Sequence, residues 1–278
     1  MKYKLIISDF DSTLNFDYFK FSCSDRTRSA IQNYVKAGGK FCISTGRAWE
    51  SISPHLSKYG IDKFETLIGC NNGASVHNNL TGEVLYKCVI PNKILVDLLG
   101  HMRGMGLHEA QVYIDDKVYV DKVVPFMADF AERAKVVFEP VGDVLEYVKQ
   151  NKCDAYKIAV VWEVATKLDV NKEFEKYSML DFTIGHMLNG ETMIEITNIA
   201  AGKGNTAVEM AKMLNIDLSH TVGIGDADND MTMIQKVGMG VCVANAIEKL
   251  KAIAKHITDR CDDDGVAKVL EKAMSDTL

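Results

Sequence analysis

The sequence predicts an α/β fold in which a parallel-sheet core is interrupted by an inserted α+β segment. In the first and last parts of the chain, short apolar runs alternate with segments whose apolar residues recur every three or four positions. Such runs are typical of parallel strands buried on both faces. From residue 80 to about residue 190, apolar and polar residues alternate over short stretches instead. The predicted domains are therefore a core of residues 1–79 and 191–278 and an insert of residues 80–190.

The first predicted strand ends in two carboxylates. Residues 5–7 are apolar, and Asp9 and Asp11 follow them. Alternation along an extended chain sends both side chains to the same side. Two carboxylates this close repel each other unless a cation lies between them, and a hard cation such as Mg²⁺ suits oxygen ligands. By itself, the segment also fits an acidic turn on the surface.

A strand–helix–strand unit follows, which is the unit that builds a parallel sheet. Ser24 is predicted to cap a helix with apolar residues between positions 30 and 35, and the glycines at 38 and 39 end it. A strand over residues 40–43 then runs into the polar segment STGR at residues 44–47. The next elements are a helix over about residues 48–58 with a possible break at the Ser53-Pro54 pair, a strand over residues 66–70 and an Asn-Asn-Gly turn at residues 71–73.

The insert and the last part of the chain are predicted in the same way. Strands in the insert are predicted over residues 84–88, 111–114, 118–120, 156–161 and 182–187, with helices over about residues 93–105 and 143–150. Parallel-sheet texture then returns, with strands over residues 220–224, 239–243 and 256–258 and helices that begin near Lys203, at a cap on Asn245 and at residue 265.

Polar clusters follow three of the buried strands of the predicted core. They are Asp9 with Asp11, the segment 44–47 and the segment 226–230. In a parallel α/β sheet the carboxyl ends of the strands lie at one edge, where ligands bind. Lys203 lies in a glycine-flanked loop before a helix, a place that favours anions. The sequence therefore predicts one shared site.

Phosphoryl transfer is the chemistry that these groups fit. It needs an in-line nucleophile, a cation, donors to the equatorial oxygens and a group that protonates the leaving oxygen. Asp9 can be the nucleophile, and Asp226 with Asp9 can hold the metal. Thr45, the backbone amides after it and Lys203 can bind the phosphoryl oxygens. Asp11 is free to act as acid and base.

Several of these residues have a second interpretation. Thr45-Gly46 also fits a turn that ends a strand, and Lys203 fits a solvated lysine. Arg47 fits either a substrate anion or a partner acid. The GDADND segment at residues 225–230 resembles a calcium loop but lacks the later glutamate, since Gln-Lys-Val occupies residues 235–237.

Composition narrows the class of protein. A formal charge of −6 over 278 residues argues against a nucleic-acid surface or a polybasic membrane anchor. The first apolar run is too short for a signal peptide, and the sequence contains no run near the ~20 apolar residues of a membrane span. Seven cysteines without a C-x-x-C pair fit free thiols in a reducing compartment, so a cytoplasmic protein is expected. The expected partner is a small phosphate ester, and the oligomeric state is unknown from sequence.

Four segments, in this order, resemble the four motifs of the haloacid dehalogenase superfamily. They are DFDST at residues 9–13, STGR at 44–47, GKG at 202–204 and GDADND at 225–230. The NGA turn at 72–74 and the segments VANA at 243–246 and DGV at 264–266 resemble its Cof-type sugar-phosphatase branch. The resemblance implies a Rossmann-like core under an αβ cap, and a Mg²⁺-dependent phosphatase that works through an aspartyl-phosphate.

By motif position, the resemblance implies a role for five residues. Asp9 would be the nucleophile, and Asp11 would be the acid and base, with its backbone carbonyl on the metal. Asp226 would be the third protein ligand of the metal. Asp230 would lie behind the ligands or reach the metal through water, and Asn229 would assist phosphate binding.

Two positions depart from the family's pattern, and three rival functions stay open. Ser12 stands where glycine is frequent, and Val243-Ala244 replaces a more usual Met-Gly before Asn245. A phosphomutase or phosphotransferase would use the same nucleophile, and a non-catalytic sugar-phosphate-binding protein would need none. A phosphoacceptor signalling domain has its acceptor aspartate after the third strand, where this chain has Asn71 and Asn72.

Overall fold

The computed structural model describes residues 1–17, 20–107, 109–162, 169–186 and 192–278. It divides the chain into two units, one of Met1–Tyr86 with Gly202–Leu278 and one of Lys87–Ala201. Both limits of the second unit lie later in the chain than the predicted limits of the insert, 80 and 190. The later end arises because residues 192–198 form a strand that pairs with two strands of the second unit.

Fourteen strands are described. In chain order they are β1 (Leu5–Ser8), β2 (Lys40–Ser44), β3 (Leu67–Cys70), β4 (Ser75–Asn78), β5 (Val84–Lys87), β6 (Ala110–Ile114), β7 (Lys117–Val120), β8 (Phe138–Pro140), β9 (Lys157–Trp162), β10 (Leu180–His186), β11 (Thr192–Asn198), β12 (Thr221–Gly225), β13 (Met239–Cys242) and β14 (His256–Ile257).

Ten α-helices are described, and short 3₁₀ turns connect several elements. In chain order the helices are α1 (Asp25–Lys36), α2 (Trp49–Ile52), α3 (Asn92–Gly104), α4 (Pro125–Ala134), α5 (Val144–Asn151), α6 (Val170–Glu173), α7 (Lys203–Met213), α8 (Met231–Lys236), α9 (Glu248–Ile253) and α10 (Gly265–Met274). The predicted helix over residues 48–58 is α2 followed by a 3₁₀ helix, Ser53–Tyr59, with Pro54 at its start.

The first unit contains an eight-stranded sheet in the order β14-β13-β12-β1-β2-β3-β4-β5. The strands from β14 to β3 are parallel, and β4 runs antiparallel to β3. Leu5 and Ile7 of β1 pack with Met210 of α7, whereas Ile6 packs in the cluster that contains Ile31 of α1. β1 is therefore buried on both faces, as a strand inside a parallel sheet is expected to be. This confirms the predicted α/β class with a parallel core.

Two predicted helix caps have different outcomes. Ser24 caps α1 as predicted, since its Oγ accepts a hydrogen bond from the Thr27 amide at 3.0 Å. The prediction for Asn245 was wrong, because the N-cap of α9 is Ile247. Asn245 instead accepts a hydrogen bond from the Cys261 amide at 2.9 Å and donates one to the Ser12 carbonyl at 2.8 Å. Its side chain is used by loops and not by the helix.

The second unit contains a six-stranded sheet in the order β10-β11-β9-β6-β7-β8. Its strands are antiparallel except for the β7–β8 pair. Apolar residues of α3 and α5, such as Leu99 and Val148, pack with Ile158 of β9 and Ile196 of β11. The predictions did not include β8, β11 or α4, and Met187 of the predicted strand 182–187 lies outside the described residues. Across the described ranges, none of the helices has the length and apolar character needed to cross a membrane.

Candidate active site

Two adjacent strand ends in the first unit bring acids from distant parts of the sequence together. Ser8 of β1 pairs with Ile224 of β12, and the Asp9 amide donates a hydrogen bond to the Ile224 carbonyl at 2.8 Å. Asp226 follows β12 by one residue. One carboxylate oxygen each from Asp9, Asp226 and Asp230 lies within 4.8 Å of the others. We call these three residues the acid cluster.

Lys203, the first residue of α7, points its ammonium group into the acid cluster. Its Nζ donates hydrogen bonds to Oδ1 of Asp9 and, at 2.7 Å, to Oδ1 of Asp230. The lysine side chain is only 1% exposed, so the alternative of a solvated lysine was wrong. Burial and the nearby Asp230 raise the pKa of Asp9 well above its usual range, although Lys203 opposes this. Burial lowers the pKa of Lys203, but the carboxylates of Asp230 and Asp9 raise it more.

The charge of the acid cluster fits a divalent cation. Three carboxylates and one ammonium leave two negative charges without compensation when all four groups are ionised. Burial and Asp230 also raise the pKa of Asp226, to about 6. Carboxylate oxygens are the ligands that Mg²⁺ prefers, so Asp9 and Asp226 suit such an ion.

Asp230 organises the loop that carries Asp226. Its Oδ2 accepts hydrogen bonds from the amides of Asp226 at 2.9 Å and Ala227 at 3.1 Å, while its Oδ1 contacts Lys203. The loop follows the buried strand β12 rather than a helix, so the calcium-loop alternative was wrong. Both oxygens of Asp230 therefore have protein partners that hold the loop beside Lys203.

Asp11, two residues after Asp9, forms a partly buried ion pair with Arg47. Arg47 donates two hydrogen bonds to the Asp11 carboxylate, from Nε at 2.7 Å and from Nη2 at 2.8 Å. Asn15 donates a third at 3.0 Å. The Arg47 side chain is 5% exposed, and its guanidinium lies 4.5 Å from the centre of the Phe21 ring. Of the two interpretations of Arg47, the pairing with an acid is the one observed.

The loop after β2 carries Thr45 and Gly46. The Thr45 amide donates a hydrogen bond to the Gly69 carbonyl of β3 at 2.8 Å, which fixes the loop at the edge of the sheet. A Cβ atom at Gly46 would lie 2.9 Å from Oδ1 of Asn72, so a larger residue at this position would displace that side chain. The same Oδ1 accepts a hydrogen bond from Nδ2 of Asn229 at 3.0 Å. Thr45, Gly46 and Asn229 are thus gathered around Asn72.

Sequence reasoning assigned no role to two residues that contact the predicted site. Thr13 donates a hydrogen bond from Oγ1 to Oδ1 of Asp226 at 3.0 Å, and Asn72 contacts Asn229. Both residues lie in segments that resemble motifs of the haloacid dehalogenase superfamily. Those motifs were therefore the sequence signal that could have identified them. Ser12, which stands at a frequent glycine position, has a φ of 60°. This left-handed backbone explains why glycine suits the position.

The fold and this site define a class of protein: an α/β protein with a mainly parallel sheet, in which three acids and a buried lysine meet where two parallel strands end. The family described as haloacid dehalogenase-like hydrolase matches residues 6–270. The chain therefore belongs to the haloacid dehalogenase-like hydrolases, as the motifs predicted.

Relatives and solved structures agree with this family. The chain is 26% identical over 275 residues to the Bacillus subtilis 5-amino-6-(5-phospho-D-ribitylamino)uracil phosphatase YitU, covering 98% of this chain and 97% of that protein. A haloacid dehalogenase-like hydrolase from B. subtilis has a TM-score of 0.82 at 24% identity, covering 96% and 99% of the two chains. A subclass IIB sugar phosphatase of the superfamily has a TM-score of 0.76 at 21% identity, covering 96% and 98%. By family and relatives, the chain is a phosphoric monoester hydrolase.

Proposed function

We propose that this chain is a Mg²⁺-dependent phosphatase that hydrolyses small phosphomonoesters, such as sugar phosphates, through an aspartyl-phosphate on Asp9. The observation that carries the proposal is the buried contact of Asp9 with Lys203 inside the acid cluster. A carboxylate placed next to a cation can approach an anionic phosphoryl group, because the cation screens its charge. The names of the ribitylaminouracil phosphatase and the sugar phosphatase favour an ester of a polyhydroxy compound.

The reaction divides into two displacements at phosphorus. In the first, a carboxylate oxygen of Asp9 bonds to phosphorus while the ester bond breaks, and Asp11 donates a proton to the departing oxygen. In the second, Asp11 takes a proton from water, and the water oxygen bonds to phosphorus as the bond to Asp9 breaks. Free phosphate and the regenerated carboxylate result. The two steps use one residue first as an acid and then as a base.

The groups around these acids bind and orient. Lys203, the Thr45 hydroxyl with the Gly46 amide, and Asn229 are proposed to hold the phosphoryl oxygens. Arg47 holds Asp11 through its two hydrogen bonds, so its part in substrate binding is indirect. The two-bonded geometry fixes the carboxylate more firmly than a single bond would.

Asp9, Asp226 and, by resemblance, the Asp11 backbone carbonyl would hold the magnesium ion, with Asp230 behind them. When bound, Mg²⁺ supplies positive charge that offsets the acid cluster and the phosphoryl oxygens. The insert, predicted at residues 80–190, is proposed as the cap that sets substrate specificity. The free cysteines fit a reducing compartment, and we propose the cytoplasm.

Release of phosphate from p-nitrophenyl phosphate and from a panel of sugar phosphates tests the proposed function. We expect release that requires Mg²⁺ and stops when EDTA is added. Transfer of the phosphoryl group to a second hydroxyl without free phosphate would identify a phosphomutase instead. Tight binding of sugar phosphates with no turnover at any Mg²⁺ concentration would identify a binding protein and overturn the proposal.

A further inference from the structure

The loop after β3 has an unusual backbone. Asn71, Asn72 and Gly73 are consecutive and have φ angles of 54°, 54° and 89°. Asparagine tolerates the left-handed region better than other residues with a side chain. At Gly73 a Cβ atom would also lie 2.7 Å from the Gly202 carbonyl oxygen. The sequence Asn-Asn-Gly is therefore what allows this loop to exist, and backbone in this region concentrates at functional sites.

Asn72 contacts three loops that were predicted to bind phosphate. Its amide donates a hydrogen bond to the Thr45 carbonyl at 3.0 Å, and its carbonyl accepts one from the Gly202 amide at 2.8 Å. Its side-chain oxygen accepts the hydrogen bond from Asn229 at 3.0 Å. Asn72 is 7% exposed, so water does not replace these contacts easily. One buried residue thus joins the loops after β2 and β12 and the loop before α7.

The contact with Asn229 fixes the orientation of that amide. Oδ1 of Asn229 is buried and has no hydrogen-bond partner within the described ranges, so that end of the amide does not hold the group in place. An amide can rotate between two nearly equivalent positions about its last bond. The hydrogen bond from Nδ2 to Asn72 selects one of them.

We infer that Asn72 is a positioning residue for phosphate binding, whose side chain orients Asn229 at the point where the three loops meet. The inference rests on the proposed function, since it gives Asn229 a phosphate to bind. Asn71 provides a matched control. It has the same side chain and the same φ and is 1% exposed, but its side-chain oxygen has no partner in the part of the chain that the structure describes.

Glycine substitutions separate the side chain from the backbone. Glycine accepts positive φ, so Asn72→Gly and Asn71→Gly retain the backbone hydrogen bonds. The dissociation constant for inorganic phosphate in the presence of Mg²⁺, measured by calorimetry, is expected to rise about tenfold in Asn72→Gly, equivalent to about 1.4 kcal/mol. It is expected to change less than about twofold in Asn71→Gly. The Tm of both variants is expected to lie within about 2 °C of the parent.

A double-mutant cycle gives a readout that a purely structural role would not produce. In an Asn229→Ala background, Asn72→Gly is expected to weaken phosphate binding less than about twofold further, because both changes remove the same interaction. Three results would overturn the positioning role. They are additive losses of phosphate affinity in the double mutant, equal losses of affinity in Asn71→Gly and Asn72→Gly, and a Tm of Asn72→Gly more than about 5 °C below that of the parent. If the parent hydrolyses phosphate esters and Asn72→Gly binds phosphate as tightly as the parent does, this inference alone is overturned. A parent that neither binds phosphate nor hydrolyses esters would overturn the proposed function with it.

Discussion

The two sheets of the molecule distribute polar side chains differently. In the first unit, β1 lies between β12 and β2 and is parallel to both, so the carboxyl ends of three strands lie at one edge of the sheet. β1 and β12 are neighbours although they are far apart in sequence, as the pairing of Leu5 with Thr221 shows. In the second unit, β9 lies between β6 and β11 and is antiparallel to both. Ends of neighbouring strands then alternate between opposite edges. Parallel topology thus collects distant polar residues at one edge, and antiparallel topology separates them.

The two units also differ in how their buried charges are balanced. In the second unit, Lys157 of β9 pairs with Glu195 of the neighbouring β11. In the first unit, Lys203 contacts two acids and a third lies beside them. A buried acid paired with a base can be purely structural, whereas an unbalanced cluster calls for a cation. Substitutions in the two units should therefore affect catalysis in the first unit and not in the second.

The largest expected effect is the loss of activity in Asp9→Asn. The amide cannot attack phosphorus, so kcat for p-nitrophenyl phosphate should fall at least about 1,000-fold. The matched control is Asp115→Asn, which removes an acid from a solvent-exposed ion pair with Lys87 in the second unit and should leave kcat unchanged. Equal kcat values for Asp9→Asn and the parent would refute the nucleophile and would remove the functional contrast between the two units.

The next effect concerns the ion pair of Asp11 and Arg47. Arg47→Lys keeps the charge but replaces a two-bonded fork with a single donor. The alcohol that leaves a sugar phosphate is a poor leaving group and needs a proton from a well-placed acid. We therefore expect kcat for a sugar phosphate to fall about tenfold. Hydrolysis of p-nitrophenyl phosphate, whose leaving group needs little protonation, should fall less than about threefold. Equal losses on both substrates, measured as kcat, would mean that Arg47 does not act through Asp11.

Magnesium should stabilise the protein through the acid cluster. At a Mg²⁺ concentration of 100 times its dissociation constant, the free energy of unfolding should rise by about 2.7 kcal/mol, seen as a higher Tm that EDTA reverses. Asp226→Asn removes a proposed ligand and should abolish most of this shift. Should calorimetry record the same Mg²⁺-induced rise in both proteins, the ion would bind elsewhere.

The smallest expected effect is a gain in stability in Ser12→Gly. The serine occupies a left-handed conformation with φ of 60°, which is unfavourable for residues other than glycine and asparagine. Replacement by glycine should increase the free energy of unfolding by about 0.5–1 kcal/mol, measured by urea denaturation. A decrease would show that the serine side chain contributes more than its backbone strain costs.

Most parallel strands of the core could be predicted from the sequence because they are short apolar runs that end in polar residues. The predictions missed β4, whose sequence Ser-Val-His-Asn has no such run. The polar residues of β4 can be buried because they have partners, as in the contact of His77 with Ser75 at 3.0 Å. The predicted end of the insert at residue 190 also placed the residues of β11 in the core. This strand belongs to the second unit because it pairs with β9 and β10, which the sequence pattern does not reveal.

In the candidate site, too, some features could be predicted from the sequence and others could not. Asp9 and Asp226 were predicted to meet because parallel strand ends converge, and Lys203 was predicted to join them because it precedes a helix in a glycine-flanked loop. The structure brings the three residues together. The roles of Thr13 and Asn72 depend on hydrogen bonds between loops that are distant in sequence. Pairing of Arg47 with an acid was one of two open alternatives, and the sequence could not tell that the acid is Asp11.

Trapping of the covalent intermediate tests the central claim most directly. A reaction with excess phosphate ester and Mg²⁺ would be quenched in acid within milliseconds, and the peptides would be analysed by mass spectrometry. We predict a phosphoryl group on the peptide that contains Asp9, present in the parent and absent in Asp9→Asn. Phosphate release with the adduct on another residue, or with no covalent form at any time point, would contradict the claim that Asp9 is the nucleophile.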